Sequence, residues 1–175
     1  ADMPQSADSM ARHLSNAYEF HHPMRGLKVE LHHRLLFDPY LLPVPFAELL
    51  ERAVPMRAGT STVHGLGGHD LAIYLCCHAA EDAFFRLKWL ADIARLVEGW
   101  SAAEFEELIV RARGVGAERQ VTLSLVMLGR FGCAVAWPGG AETEAGLGRL
   151  ANRATVAIRQ PERGQERFRF ADVPA

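Results

Sequence analysis

The 175-residue sequence is poor in cysteine, has no long apolar run and carries no excess of charge of either sign. Its three cysteines, Cys76, Cys77 and Cys133, form no C-x-x-C and leave an odd thiol. That excludes a disulfide framework and predicts reduced core thiols in a cytoplasmic protein. The apolar stretches at 71–80 and 121–128 fall far short of the roughly 20 residues of a membrane-spanning helix. No basic-then-apolar leader opens the chain, so no membrane association is expected. A formal net charge of −2 lacks the electrostatic footprint of a general nucleic-acid binder. Eight histidines raise the question of zinc. However, His21-His22 and His32-His33 are adjacent pairs that point to opposite sides of a strand, and no H-x-x-x-H occurs. P-loop, G-x-G-x-x-G and G-x-S-x-G motifs are missing too.

What is present is enough apolar sequence for one buried core. Hydrophobic residues make up 49% and charged residues 23%, which excludes a disordered chain. Residues 1–10 are polar and expected to fray, and 11–20 can open as a short helix. Leu27-Lys28-Val29-Glu30-Leu31-His32-His33 alternates with period two, Val29 and Leu31 on one face and Lys28, Glu30 and His32 on the other. Turn chemistry at Pro23-Met24-Arg25-Gly26 predicts a hairpin over 18–33. Three prolines exclude a regular element at 38–45. A short helix over 46–53 and a second hairpin over 54–66, turning at Gly59-Thr60, come next.

From Gly67 the pattern is helical. Helices are expected over 70–84, with Leu71, Leu75 and Ala79 on the apolar face, and over 86–98, with Gly99 as cap. A capping box, Ser101-Ala102-Ala103-Glu104, opens a third helix that stops near Gly114. An apolar and therefore central helix follows over 117–131, then a loop at Pro138-Gly139-Gly140 and a weaker helix over 141–159. The predicted class is α+β, mostly helical, with a small antiparallel β region ahead of a bundle of four to five helices. Its expected divisions are 1–66, 67–159 and a loosely held tail at 160–175.

Two patches carry candidate chemistry. Glu30 and His32 lie on one side of a strand, about 7 Å apart along it, beside Lys28. A carboxylate and an imidazole so placed can hold a divalent cation or poise a base; alternating polar residues are equally what a solvated strand face shows. On the helix over 86–98, Lys88 and Asp92 are four apart and Asp92 and Arg95 three apart, the spacing of a surface ion-pair stripe. Trp89 lies beside that stripe as a core anchor or a pocket wall. His78, inside an apolar helix, reads as a buried, hydrogen-bonded histidine rather than a ligand.

Four segments, in this order, resemble one family: Val29-Glu30-Leu31-His32-His33-Arg34-Leu35; Phe46-Ala47-Glu48-Leu49-Leu50-Glu51-Arg52-Ala53; Asp70-Leu71-Ala72-Ile73-Tyr74-Leu75-Cys76-Cys77-His78-Ala79-Ala80; and Arg86-Leu87-Lys88-Trp89-Leu90-Ala91-Asp92-Ile93-Ala94-Arg95. It is the uncharacterised nucleotidyltransferase family of bacteria, within the DNA polymerase beta-like superfamily. The likeness is to the family's C-terminal part. The resemblance implies a small sheet whose three acids bind Mg²⁺ and the triphosphate of a nucleotide. A Gly-Ser loop and a D-x-D strand supply the phosphate support and two of the acids. Glu30, between Val29 and Leu31, matches the third. By this resemblance Glu30 is metal ligand and catalytic acid, His32 stands with it, and Lys28, Lys88, Trp89 and Asp92 line the nucleotide cleft.

Neither Gly-Ser nor D-x-D occurs anywhere in the 175 residues. Gly139-Gly140-Ala141-Glu142-Thr143-Glu144 imitates them but lies downstream of Glu30, with small flanking residues, where a helix opens. The chain begins Ala1-Asp2-Met3-Pro4, the expected start of a piece of something longer. The expected function is metal-dependent nucleotidyl transfer from a nucleoside triphosphate to an unspecified acceptor, with this chain inactive by itself. The alternative is a non-catalytic helical binding or scaffold module derived from that family. An exposed sheet edge is also an expected pairing surface for a second copy.

Overall fold

The computed structural model describes residues 16–22, 24–137, 139 and 141–159. The frayed start expected at 1–10 and the tail expected at 160–175 lie outside these residues. Two hairpins precede most of the helices. Strands β1 (Ala17–His22) and β2 (Leu27–His32) form the first, and after helix α1 (Phe46–Glu51), β3 (Val54–Ala58) and β4 (Ser61–Gly65) form the second. Then follow α2 (Gly68–Glu81), α3 (Leu87–Leu96), α4 (Ala102–Gly114), α5 (Glu118–Arg130) and α6 (Ala141–Arg159). The protein is α+β and mostly helical, as the patterning predicts. The short helix expected from 11–20 does not include Ala17 onward, which is strand; residues 11–15 lie outside the described set.

Both hairpins close where glycine permits a left-handed backbone: Gly26 has φ +60° and Gly59 has φ +62°. Register follows from these turns. Glu19 lies opposite Glu30 and His21 opposite Lys28 in the first hairpin, Met56 opposite Val63 in the second. The apolar face of the first hairpin is open to solvent. Phe20 is 55% exposed, Val29 59% and Leu31 60%. Period-two alternation correctly puts Val29 and Leu31 on one face, but nothing among the described residues covers that face.

The core belongs to the helices. α5 is its centre: all residues from 121 to 128 are buried, and it packs against α2, α3, α4 and α6. Of its two buried hydroxyl residues, Thr122 and Ser124, the fully buried Ser124 donates within the helix to the Gln120 carbonyl at 2.9 Å, so its own burial leaves that donor paired. α2 buries Ala72, Ile73, Cys76, Cys77, Ala79 and Ala80, while Leu71 and Leu75 are only half-buried. The expected Leu71–Leu75 stripe is therefore rotated by about a residue. The small side chains face inward, where they let α3, α4 and α5 approach closely.

Local chemistry sets the helix ends. α4 begins with the full capping box: Ser101 Oγ accepts from Glu104 N–H at 3.4 Å, and Ser101 N–H donates to Glu104 Oε2 at 2.7 Å. α2 ends in a Schellman arrangement. Phe84 N–H donates to Ala79 O at 2.7 Å and Ala83 N–H to Ala80 O at 2.9 Å. Ala83 and Phe84 carry φ of +50° and +58°, and the Phe84 ring is fully buried. α3 ends at Leu96 with Val97 as cap, two residues before Gly99. The proline-broken segment before α1 is irregular but anchored. Leu36 enters the core, Asp38 N–H donates to Glu81 Oε1 at 2.6 Å, and Cys77 Sγ donates to Leu41 O at 3.5 Å.

Candidate functional site

Lys28, Glu30 and His32 share one face of the first hairpin with Glu19 and His21. Lys28 Nζ sits between two carboxylates, 2.7 Å from Glu30 Oε1 and 2.9 Å from Glu19 Oε1. His32 Nε2 lies 3.6 Å from Glu30 Oε2, and His21 Nε2 lies 3.5 Å from Glu19 Oε2. Asn16 Nδ2 approaches His32 Nδ1 at 3.3 Å. The result is a ladder running imidazole, carboxylate, ammonium, carboxylate, imidazole.

The ladder's electrostatics follow from its centre. The Lys28 hydrogen bond, with its charge, holds the Glu30 carboxyl below the ordinary glutamate value and does the same for Glu19. In return Glu30, and then Glu19, raise the Lys28 ammonium. Both carboxylates are thus ionised near neutral pH, with an imidazole beside each.

The second patch is divided differently. Lys88 and Asp92 are exposed on α3, and neither forms an ion pair with a described residue; Arg95 pairs with Glu98 instead. Trp89 is 6% exposed and meets His78 edge-on (5.3 Å) and Phe85 (5.0 Å). His78 also stacks on Tyr74 at 5.9 Å. It is half-buried and held by rings; among the described residues it makes no hydrogen bond of the kind the sequence leads one to expect. The Lys88–Asp92 ion pair expected from spacing does not form.

The sequence model of one family, described as an uncharacterised nucleotidyltransferase, matches residues 5–132. The chain belongs to this nucleotidyltransferase family. No curated protein and no solved structure matches it. The match spans both hairpins, α1 to α4 and α5 up to its end, so Glu30 and the α3 patch both lie inside the family's region.

For a nucleotidyltransferase, the fit of Mg²⁺ to these residues can be tested. The ion favours an octahedral shell of oxygen, with carboxylates beside phosphates and water. Among the described residues no three His, Cys, Asp or Glu side chains converge as a metal site. Between Glu19 and Glu30, where two carboxylates come nearest to a hard-cation site, the Lys28 ammonium already supplies the positive charge. The residues present do not by themselves fit Mg²⁺. No helix among the described residues is long and apolar enough to cross a membrane.

Glu19 and His21 escape a reading of β2 alone. Their signal lies in the turn: four residues between His22 and Leu27 set the register that brings Glu19 opposite Glu30.

Proposed function

We propose that this nucleotidyltransferase family member serves metal-dependent transfer of a nucleotide from a nucleoside triphosphate to an acceptor, and that Glu30 is its acidic contribution. The carrying observation is Glu30 itself. It is an ionised carboxylate in a Val-Glu-Leu strand within the family's matched region, on an open face beside Lys28 and His32. In this reading Mg²⁺ is held only when further acids join Glu30, because the sequence contains no D-x-D and no Gly-Ser. Lys28 and His32 order the Glu30 carboxylate, and Lys88, Trp89 and Asp92 belong to the cleft wall. The 175-residue chain alone is inactive.

Two assays test this. The purified chain, given Mg²⁺ and labelled nucleoside triphosphates, shows no transfer; robust transfer lost in Glu30→Ala would overturn the inactivity. A chimera placing the Gly-Ser and D-x-D region of a family member ahead of this chain transfers nucleotide, and Glu30→Ala abolishes it. A folded chimera that is inactive, or indifferent to Glu30→Ala, would overturn the role of Glu30. It would favour the second reading, a non-catalytic helical binding module, which the self-contained helical core supports.

A further inference from the structure

Among the described residues one edge of β2 is unpaired. His33 N–H donates to Asn16 O at 3.0 Å, next to the Ala17–His32 pair. In an antiparallel ladder the backbone groups then alternate. Those of Leu27, Val29 and Leu31 turn toward β1, and those of Lys28, Glu30 and His32 turn outward. No described strand lies on that outer side. A lone two-stranded hairpin is marginally stable in water, and three or more strands are the usual remedy. Here the hairpin's apolar side chains are more than half exposed at Leu27, Val29 and Leu31.

We propose that β2 pairs antiparallel with β2 of a second copy of this chain, about a two-fold axis at Val29. The sequence of the edge is self-complementary in that register. Lys28 faces Glu30 of the second copy, and the symmetry repeats the pair. Leu27 faces Leu31 of the second copy, and Val29 faces its own counterpart. The residues that must exchange backbone hydrogen bonds, Lys28 and Glu30, are those whose N–H and C=O point outward. The apolar residues fall at the non-hydrogen-bonded positions, where side chains approach most closely. Moving the axis by one residue sets Glu30 against Glu30 or Lys28 against Lys28, so the charges disfavour both adjacent registers. The β1 edge is a poorer match. Its outward residues are Ala17, Glu19 and His21, and its best register offers Glu19 only a histidine. The product is a four-stranded sheet in which Leu27, Val29 and Leu31 gain lateral neighbours. It does not depend on any nucleotidyl transfer.

Sedimentation velocity of the 175-residue chain over a concentration series reads the equilibrium. A concentration-dependent dimer is expected. Lys28→Glu weakens it on the order of tenfold by placing like charges opposite each other. Adding Glu30→Lys restores it, because the swapped charges again face their opposites. Val29→Cys under mild oxidation gives a disulfide-linked dimer, since opposed Cα atoms at a non-hydrogen-bonded pair lie about 4.5 Å apart, within disulfide reach. Phe20→Cys, a strand away from the seam, gives no more cross-linking than wild type. A wild-type chain that stays monomeric throughout would overturn the proposal. So would a dimer that ignores Lys28→Glu, a charge-swapped double variant that fails to recover, or a Val29→Cys variant that does not cross-link.

Discussion

Leu90→Ala should cost this protein a large part of its stability, whereas Val29→Ser should cost almost none. Leu90 is 2% exposed on α3, in the core with Trp89, Ile93 and Val97, and α3 packs on both α2 and α5. Truncation removes the transfer energy of the lost carbons and leaves a cavity that tightly packed helices close only in part. About 3 kcal/mol is expected, within the range of buried leucine truncations. With a urea dependence of about 2 kcal/mol/M for a chain of this size, the midpoint falls by about 1.5 M. Val29 has a similar apolar character but is 59% exposed on a hairpin away from that core, so Val29→Ser stays within about 0.5 kcal/mol. Leu75, half-buried on α2, falls between them at about 1 kcal/mol for Leu75→Ala. The measurement is urea unfolding followed by the helical circular dichroism band. A fall of less than about 0.3 M for Leu90→Ala would refute the division of the molecule into a load-carrying bundle and open hairpins. An equal fall for Val29→Ser would refute it as directly.

Other perturbations read single features. Ala83→Gly should stabilise by about 1 kcal/mol in the same unfolding assay, because Ala83 holds a left-handed position that glycine occupies without steric cost; a destabilised variant would show that the alanine methyl is needed there. Ser101→Ala should cost about 1 kcal/mol through loss of the capping box, and an unshifted melt would show that the box does not hold α4. Of the thiols, only the half-exposed Cys133 should react quickly with a thiol reagent at neutral pH. Burial pushes Cys76 up to about 12 and raises Cys77 as well, so three fast-reacting thiols in native protein would contradict that burial. The Glu19 and Glu30 carboxyls should titrate below ordinary glutamate by NMR, and Lys28→Met should return both upward. The sign follows from depression: their contribution to the hairpin is present above the usual glutamate range and fades as pH falls through the folded values.

The helices were legible because periodicity and capping are local. Ser101 and Glu104 announce the start of α4, and the run from Val121 to Leu128 is too apolar for any position but the centre. The hairpins were legible from Gly26, Gly59 and alternation. What the sequence hid was which faces meet. On α2 the large residues Leu71 and Leu75 drew the prediction, yet Ala72, Ile73, Cys76, Cys77, Ala79 and Ala80 are the ones buried, since close helix approach favours small side chains. Leu36 sits in a proline-broken segment with no period to reveal it. Alternation placed Lys28, Glu30 and His32 together, but only the hairpin register added Glu19 and showed that Lys28 bridges the two carboxylates. Spacing on α3 implied a Lys88–Asp92 pair that is not made, because exposed helix charges are weakly held and find other conformations.

The open hairpin face has a consequence for measurement. Cooperative unfolding is reported by the helices, whose amides share the full stability of the bundle, while the strand bearing Glu30 opens at far lower free energy. Hydrogen exchange should therefore fall into two tiers, with Glu30 and its neighbours in the fast one. A variant that melts at the wild-type temperature can still have lost the ordered ladder, so thermal stability is not a surrogate for an intact Glu30 strand. Exchange rates at Val29 and Leu31, whose N–H groups turn toward β1, are the signal that follows it.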